Sequence, residues 1–184
     1  TDTSPFGIEN FNTDSFSMLY EKQNSGKSII CTIGTLNVEE LTIPDGIDYC
    51  DMDWFHGSTI KTIHFGNSVT EIQGQFNMLK DLEIIVLGKN INSINTNWIL
   101  PGVYIESKGI NYISNNGSLY RIINKDTNEV ELVHHYCKEG NSSNVISSFS
   151  IESKEYKVVS IGDGAFNHLE IDSLTLSGGM ENLD

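Results

Sequence analysis

The sequence predicts a mostly β chain, folded as a solenoid of about six short-strand rungs with β-hairpin insertions. Three observations lead there. Apolar residues recur with a period of 22 over the first half of the chain. Ala165 is the only alanine while isoleucine, asparagine and serine abound, so the best helix former is nearly absent and β-branched and turn-forming residues dominate. Hydrophobic residues make up 38% of the 184 and are spread along the whole chain, enough for a core and too many for disorder.

Residues 1–15 lack periodicity and read as an N-terminal arm or linker. A start at Thr1 without a basic, apolar and small-residue pattern reads as a trimmed or internal segment from which an export signal has been removed. Phe16–Tyr20, the turn Asn24-Ser25-Gly26-Lys27 and Ile29–Ile33 form a predicted β-hairpin, which together with the first repeats fills residues 16–105.

The repeat begins with Val38-x-x-Leu41-x-Ile43, which recurs as Ile60-x-x-Ile63-x-Phe65 and Leu82-x-x-Ile85-x-Leu87. The register runs on through Ile47, Val69 and Ile91, then Cys50, Ile72 and Ile94, then Trp54, Phe76 and Trp98. Alternation along a strand puts Leu41 and Ile43, and their counterparts, on one face. A single rung cannot cover that face, so rungs stack and bury a continuous core between them. Cys50 then fills an isoleucine slot as a small buried hydrophobe. Trp54, Phe76, Trp98 and Phe166 are expected at equivalent buried positions behind the strands.

Weaker copies follow: Leu100-x-x-Val103-x-Ile105, Ile146-x-x-Phe149-x-Ile151, a half-repeat from Val158 through Ile161 to Phe166, and Ile171-x-x-Leu174-x-Leu176. Leu119–Ile123, the turn Asn124–Asn128 and Val130–His135 read as a second hairpin. Residues 106–145 are accordingly a predicted β-hairpin insertion, and 146–184 continued repeats.

The segments IPDGI, VTEIQGQF, LKDLEIIVLGKNINSI and VVSIGDGAFNHLEIDSLTLSGGM resemble the BspA-like, treponemal-type leucine-rich repeats, with their register L-x-x-I-x-I-P-x-x-V-x-x-I-G-x-x-A-F. The resemblance covers residues 38–105 and 146–180. The copy with IGDGAF is the most faithful. Earlier rungs carry Asp53, Gln75 and Asn97 in place of the alanine, and only the first keeps its proline, Pro44. What the resemblance implies is an extracellular or cell-surface protein used in adhesion or host-protein binding, its export signal and anchor lying outside this chain.

Charge narrows the partners. Twenty-five acidic residues against 11 basic give a net charge of −14, and Arg121 is the sole arginine, so a nucleic-acid partner is not expected and anionic membrane surfaces are disfavoured. No apolar run approaches the ~18 residues of a spanning helix, so no membrane insertion is expected within this chain.

No constellation points to catalysis. His134 and His135 are adjacent in a predicted strand, point to opposite faces and read as solvated or satisfied histidines. Asp48, Asp51 and Asp53 lack the D-x-D-x-D-G order and late glutamate of a calcium loop. Gly162-Asp163-Gly164 has no following lysine to make a phosphate cradle, and Cys31, Cys50 and Cys137 have no metal-ligand spacing. Asn116-Gly-Ser118 and Asn141-Ser-Ser143 are formal glycosylation sequons, and Asn116-Gly117 also reads as a turn. Neither a cofactor nor an enzymatic activity is expected.

What remains is the outward face of the rungs: Glu40 and Thr42, Thr62 and His64, Ile84 and Val86, Gly102 and Tyr104. The stripe turns apolar along its length, which marks Thr62, His64, Ile84, Val86 and Tyr104 as the binding surface. The competing expectation is that the 106–145 hairpin folds back over it. The partner expected is a protein, either a host or matrix protein or a second copy of the chain. The alternative function is a carbohydrate-binding or scaffold module of a larger secreted enzyme.

Overall fold

The computed structural model describes the backbone of residues 6–10, 16–23, 26–34, 37–138, 142–170, 173–177 and 182–183, and side chains within 37–138, 144–170 and 173–177. The chain is mostly β. Its first half is organised by the 22-residue period, each repeat contributing one short strand to each of two parallel ladders.

One ladder contains β4 (Glu40–Ile43), β6 (Thr62–Phe65), β8 (Ile84–Val86) and β10 (Tyr104–Glu106), in the order β10-β8-β6-β4. The other contains β5 (Ile47–Asp51), β7 (Glu71–Gln73) and β9 (Ser93–Ile94). It is extended at β5 by β3 (Gly26–Gly34), β2 (Phe16–Gln23) and β1 (Phe6–Asn10). The predicted first hairpin is thus β2 and β3, paired antiparallel. Within the stretch read as an arm or linker, residues 6–10 form a strand along β2. Five residues with only Phe6 and Ile8 apolar are too few to show a period.

Leu41, Ile63, Ile85 and Ile105 form one column between the ladders, all fully buried, and Cys50, Ile72 and Ile94 form the facing column. Cys50 sits in its isoleucine slot as expected, and burial pushes its thiol pKa up. The rungs are pinned at the turn after each β4-type strand: the Gly66 amide donates to the Ile43 carbonyl at 2.7 Å, and a Cβ on Gly88 would collide with the Gly66 carbonyl. Only glycine allows that approach.

The aromatic slot departs from expectation. Behind the strands run one-turn 3-10 helices, Met52–Phe55, Phe76–Met78 and Thr96–Trp98. In this helix residues i and i+3 eclipse, so an inward pair is spaced by three. The first rung buries Met52 and Phe55, the second Phe76 and Leu79, and the third turns Ile99 inward in the phase of the first. Gly74 and Asn77 occupy the inward positions in the second rung, so its helix starts later and Phe76 turns in. Trp54 and Trp98 stay 44% and 37% exposed, and Phe166 is half-buried beside a buried Ala165, so of the four aromatics Phe76 alone is fully buried.

The second half is assembled differently. β11 (Tyr112–Asn115), β12 (Ser118–Asn124), β13 (Glu129–His134), β16 (Lys154–Ile161) and β15 (Ser148–Ile151) form a sheet in the order β11-β12-β13-β16-β15, with β18 (Asn182–Leu183) alongside β16. Only β13–β16 and β16–β18 are parallel in it. The copy at Ile146–Ile151 is therefore not a ladder rung: it lies in β15, which folds back antiparallel on β16. The two-residue turn Glu152-Ser153, both at positive φ, closes that hairpin, and no longer crossover is available there. Phe149 packs against Tyr120 and Tyr156 in a second core with Val130, Leu132 and Val158.

The parallel partner of β17 (Ser173–Leu176) is β14 (Ser142–Val145). This pair is two-stranded among the described residues, and Leu174, expected in the core, is 40% exposed.

Candidate functional site

The face of the β4-β6-β8-β10 ladder directed away from the core carries two columns. Register places Glu40, Thr62, Ile84 and Tyr104 in one, and Thr42, His64, Val86 and Glu106 in the other. The fourth rung therefore presents Tyr104 and Glu106, where the sequence pattern pointed to Gly102 and Tyr104. The run Val103-Tyr104-Ile105 fits two registers two residues apart, and such a slip keeps every side chain on its own face. Ile105 pairs with Ile85, and Ser107 takes the following buried position, its hydroxyl donating to the Tyr112 carbonyl at 2.7 Å.

Thr62, His64, Ile84, Val86 and Tyr104 are thus brought together as neighbours on three adjacent strands, each half-buried. The polar end is held by His64, whose Nε2 lies 2.8 Å from Glu40 Oε1. Toward β10 the surface is apolar. Tyr104 meets Tyr136 edge-on, ring centroids 5.1 Å apart, with Gly117 beneath both rings. A Cβ at Gly117 would come within 2.5 Å of the Tyr104 ring, and Asn116 and Gly117 both hold the positive φ of a tight hairpin turn. Gly117 and Tyr136 of the 106–145 segment therefore pack on Tyr104, while Val86 lies beside Glu106 at the start of the same segment.

Between them lies a groove of about 450 Å³, lined by Val86, Tyr104, Glu106, Lys108, Ser114 and Ile151 among others. Sequence reasoning found Val86 and Tyr104 but missed the far wall. Ser114 and Ile151 come from strands whose placement no repeat register dictates.

The other candidates resolve into structural roles. His134 is buried, 3.0 Å from the Val103 carbonyl through Nε2, and burial lowers its pKa to about 4. The neutral ring donates that hydrogen bond and ties β13 to the last ladder rung. His135 points the other way and packs on Phe166, its pKa also lowered by burial. Asp51 Oδ1 accepts the Asp53 amide at 3.0 Å, and Asp53 Oδ1 accepts the Gln75 amide of the next rung at 2.7 Å, so both carboxylates serve the 3-10 turns. Among the described residues, no three His, Cys, Asp or Glu are grouped to hold a metal. Arg121 is engaged across strands by Glu131 at 2.5 Å.

The family model described as BspA type leucine rich repeat region (6 copies) matches residues 31–131, more than half of the chain. The matched stretch runs through the ladders into β13 and leaves out the copies read at 146–180. A comparison with curated proteins found no match. Among solved structures, a leucine rich cell surface protein from Faecalibacterium prausnitzii is similar at 12% identity, with a TM-score of 0.33, over 91% of this chain and 70% of that one. No helix among the described residues is long and apolar enough to cross a membrane.

Proposed function

The chain belongs to the BspA-type leucine-rich repeat family, and from that premise we propose that it is a non-enzymatic, extracellular or cell-surface solenoid module that binds a protein partner in adhesion. The stacked rungs form a rigid scaffold, and the working surface is the outward ladder stripe. The observation that carries this reading is the contiguity of Ile84, Val86 and Tyr104 in register, opening into the 450 Å³ groove. Grouped half-exposed apolar side chains on a chain of net charge −14 support reading this stripe as an interaction site. The host or matrix proteins implied by the family, and a second copy of this chain, are the partners that fit such a surface.

The test substitutes Ile84→Ser together with Val86→Lys, and measures attachment to immobilised matrix proteins and self-association by sedimentation. We expect an unchanged melting temperature with attachment or self-association lowered at least about tenfold, the effect of losing roughly 1.4 kcal/mol of contact. Unchanged attachment and association would remove the stripe as a functional surface.

A further inference from the structure

Tryptophan occurs twice in the chain, at Trp54 and Trp98, and both rings reach solvent at the same position of repeats two rungs apart. Each is the third residue of its 3-10 helix, Met52–Phe55 or Thr96–Trp98. The inward residues Phe55 and Ile99 set the same phase in both helices, so both indoles leave on the same side. Adjacent rungs are about 4.8 Å apart, which separates the two indoles by about 10 Å. Between them the second rung turns its aromatic inward and carries Gln75, Asn77 and Met78, all half-buried.

The residue before each aromatic is a planar hydrogen-bonding side chain: Asp53, Gln75 and Asn97. The chain's own last copy has a buried alanine there, Ala165, so packing does not require polarity at that position. Asp53 and Asn97 are exposed beside the two tryptophans, and His168 lies against Trp98 with ring centroids 6.1 Å apart. Asp53 is oriented by its bond to the Gln75 amide; at Asn97 the backbone carbonyl accepts from the Asn167 side-chain amide at 3.3 Å, and the side-chain oxygen lies beside Gly164. None of residues 51–56, 73–78 and 95–98 is a lysine or arginine, while Asp51, Asp53 and the adjoining Glu71 are acidic.

We propose that this face binds a neutral, extended oligosaccharide, with Trp54 and Trp98 stacking on sugar rings and Asp53 and Asn97 accepting hydrogen bonds from hydroxyls. A pyranose ring has an apolar C–H face and a rim of hydroxyls. Flat exposed indoles flanked by planar polar groups match both. Charge complementarity selects within the class, because the carboxylates of this face, with no lysine or arginine among residues 51–56, 73–78 and 95–98, repel sulfated or uronic polymers. The spacing of two rungs selects an extended chain long enough to reach both rings at once. The surface is separate from the ladder stripe, and the proposal stands whether or not that stripe binds protein.

The two tryptophans make the test direct, since emission excited selectively over the chain's 7 tyrosines comes from Trp54 and Trp98 alone. The intact chain is titrated with cellohexaose and with chitohexaose, with cellobiose as the short control, heparin as the polyanion and oligolysine as a basic peptide. The expected result is a blue-shifted or quenched emission with a hexasaccharide, protection of both indoles from acrylamide, and at least about tenfold weaker response to cellobiose. Trp54→Ala and Trp98→Ala should each weaken hexasaccharide binding at least about tenfold, with the far-ultraviolet circular dichroism unchanged. Acrylamide protection in the wild-type chain keeps the test independent of how the variants fold. The proposal is overturned if neither hexasaccharide alters emission or quenching at millimolar concentration, if binding survives in both variants, or if only oligolysine or heparin responds.

Discussion

Residues 38–106 and residues 112–161 draw on the same materials, yet the first stretch stacks its strands in parallel and the second pairs them mostly antiparallel. What separates them is the length of chain between strands. In the first, each strand returns to its ladder after 20 or 22 residues, room for a turn, a second strand and a 3-10 helix, which is the long crossover that parallel pairing requires. In the second, Asn116-Gly117 and Glu152-Ser153 join strands by two-residue turns, which allow only antiparallel neighbours. Apolar alternation alone is common to both and does not decide between them.

The core of the ladder half is where this contrast breaks most readily. Phe55→Ala and Phe76→Ala should each cost about 3–5 kcal/mol, because both rings are fully enclosed between rungs. Trp54→Ala, at the position matching Phe76 in sequence, should cost about half as much, roughly 1.5–2.5 kcal/mol, because its ring is 44% exposed. Urea denaturation of the three variants measures this. Equal losses at Trp54 and Phe76 would show that sequence register, and not helix phase, determines the core.

The two halves are joined at His134, and there the contrast is sensitive to acid. Unfolded, the imidazole takes its proton near pH 6.5; folded, burial holds the proton off until about pH 4. Between those values the unfolded chain binds more protons, so this stability is fully present above pH 6.5 and is lost as pH falls toward 4. The expected loss across the window is roughly 3 kcal/mol. His134→Gln retains a side-chain N–H for the Val103 carbonyl but does not titrate in this range. The difference in unfolding free energy between wild type and variant should therefore shrink on acidification, with carboxylates common to both cancelling. A difference constant from pH 7 to pH 4 would show that His134 is not held neutral.

Legibility in the sequence follows the same division. Two identical 22-residue intervals between three copies placed Leu41, Ile63 and Ile85 in one column and Cys50, Ile72 and Ile94 in another, and both columns exist. The outward stripe was legible for the same reason, down to Val86. At the fourth rung the interval shortens to 20, and Tyr104 kept its face while its pairing moved by two residues. Beyond it the apolar pattern at Ile146–Ile151 imitates a rung, but the turn at Glu152-Ser153 overrides the pattern. The far wall of the groove could not be read at all, because Ser114 and Ile151 reach it through tertiary packing of the second sheet against the ladder. Phe55 was missed as a core residue because a repeat register says which positions correspond, but not which way a one-turn helix is rotated.

Ion pairs offer the finest comparison between the halves. In the ladder, Lys61 bridges back to Glu39 of the previous rung at 2.7 Å, with both side chains largely in water. In the second sheet, Arg121 meets Glu131 across the β12–β13 pair, and Glu131 is only 14% exposed. Geometry and enclosure both favour the second. The arginine fork bonds from a fixed cross-strand position, and the enclosed carboxylate is less screened by salt. Double-mutant cycles with Arg121→Gln and Glu131→Gln should give a coupling of about 1 kcal/mol that persists in about 0.5 M salt, well above physiological ionic strength. The Lys61–Glu39 cycle should show a weaker coupling that disappears in the same salt, because holding two exposed flexible side chains together offsets their attraction. If the ladder pair proved the stronger, the alternation of Glu39, Lys61 and Glu83 along successive rungs would be acting as a cooperative column, and the exposed edge of the repeats would contribute more to stability than their solvation suggests.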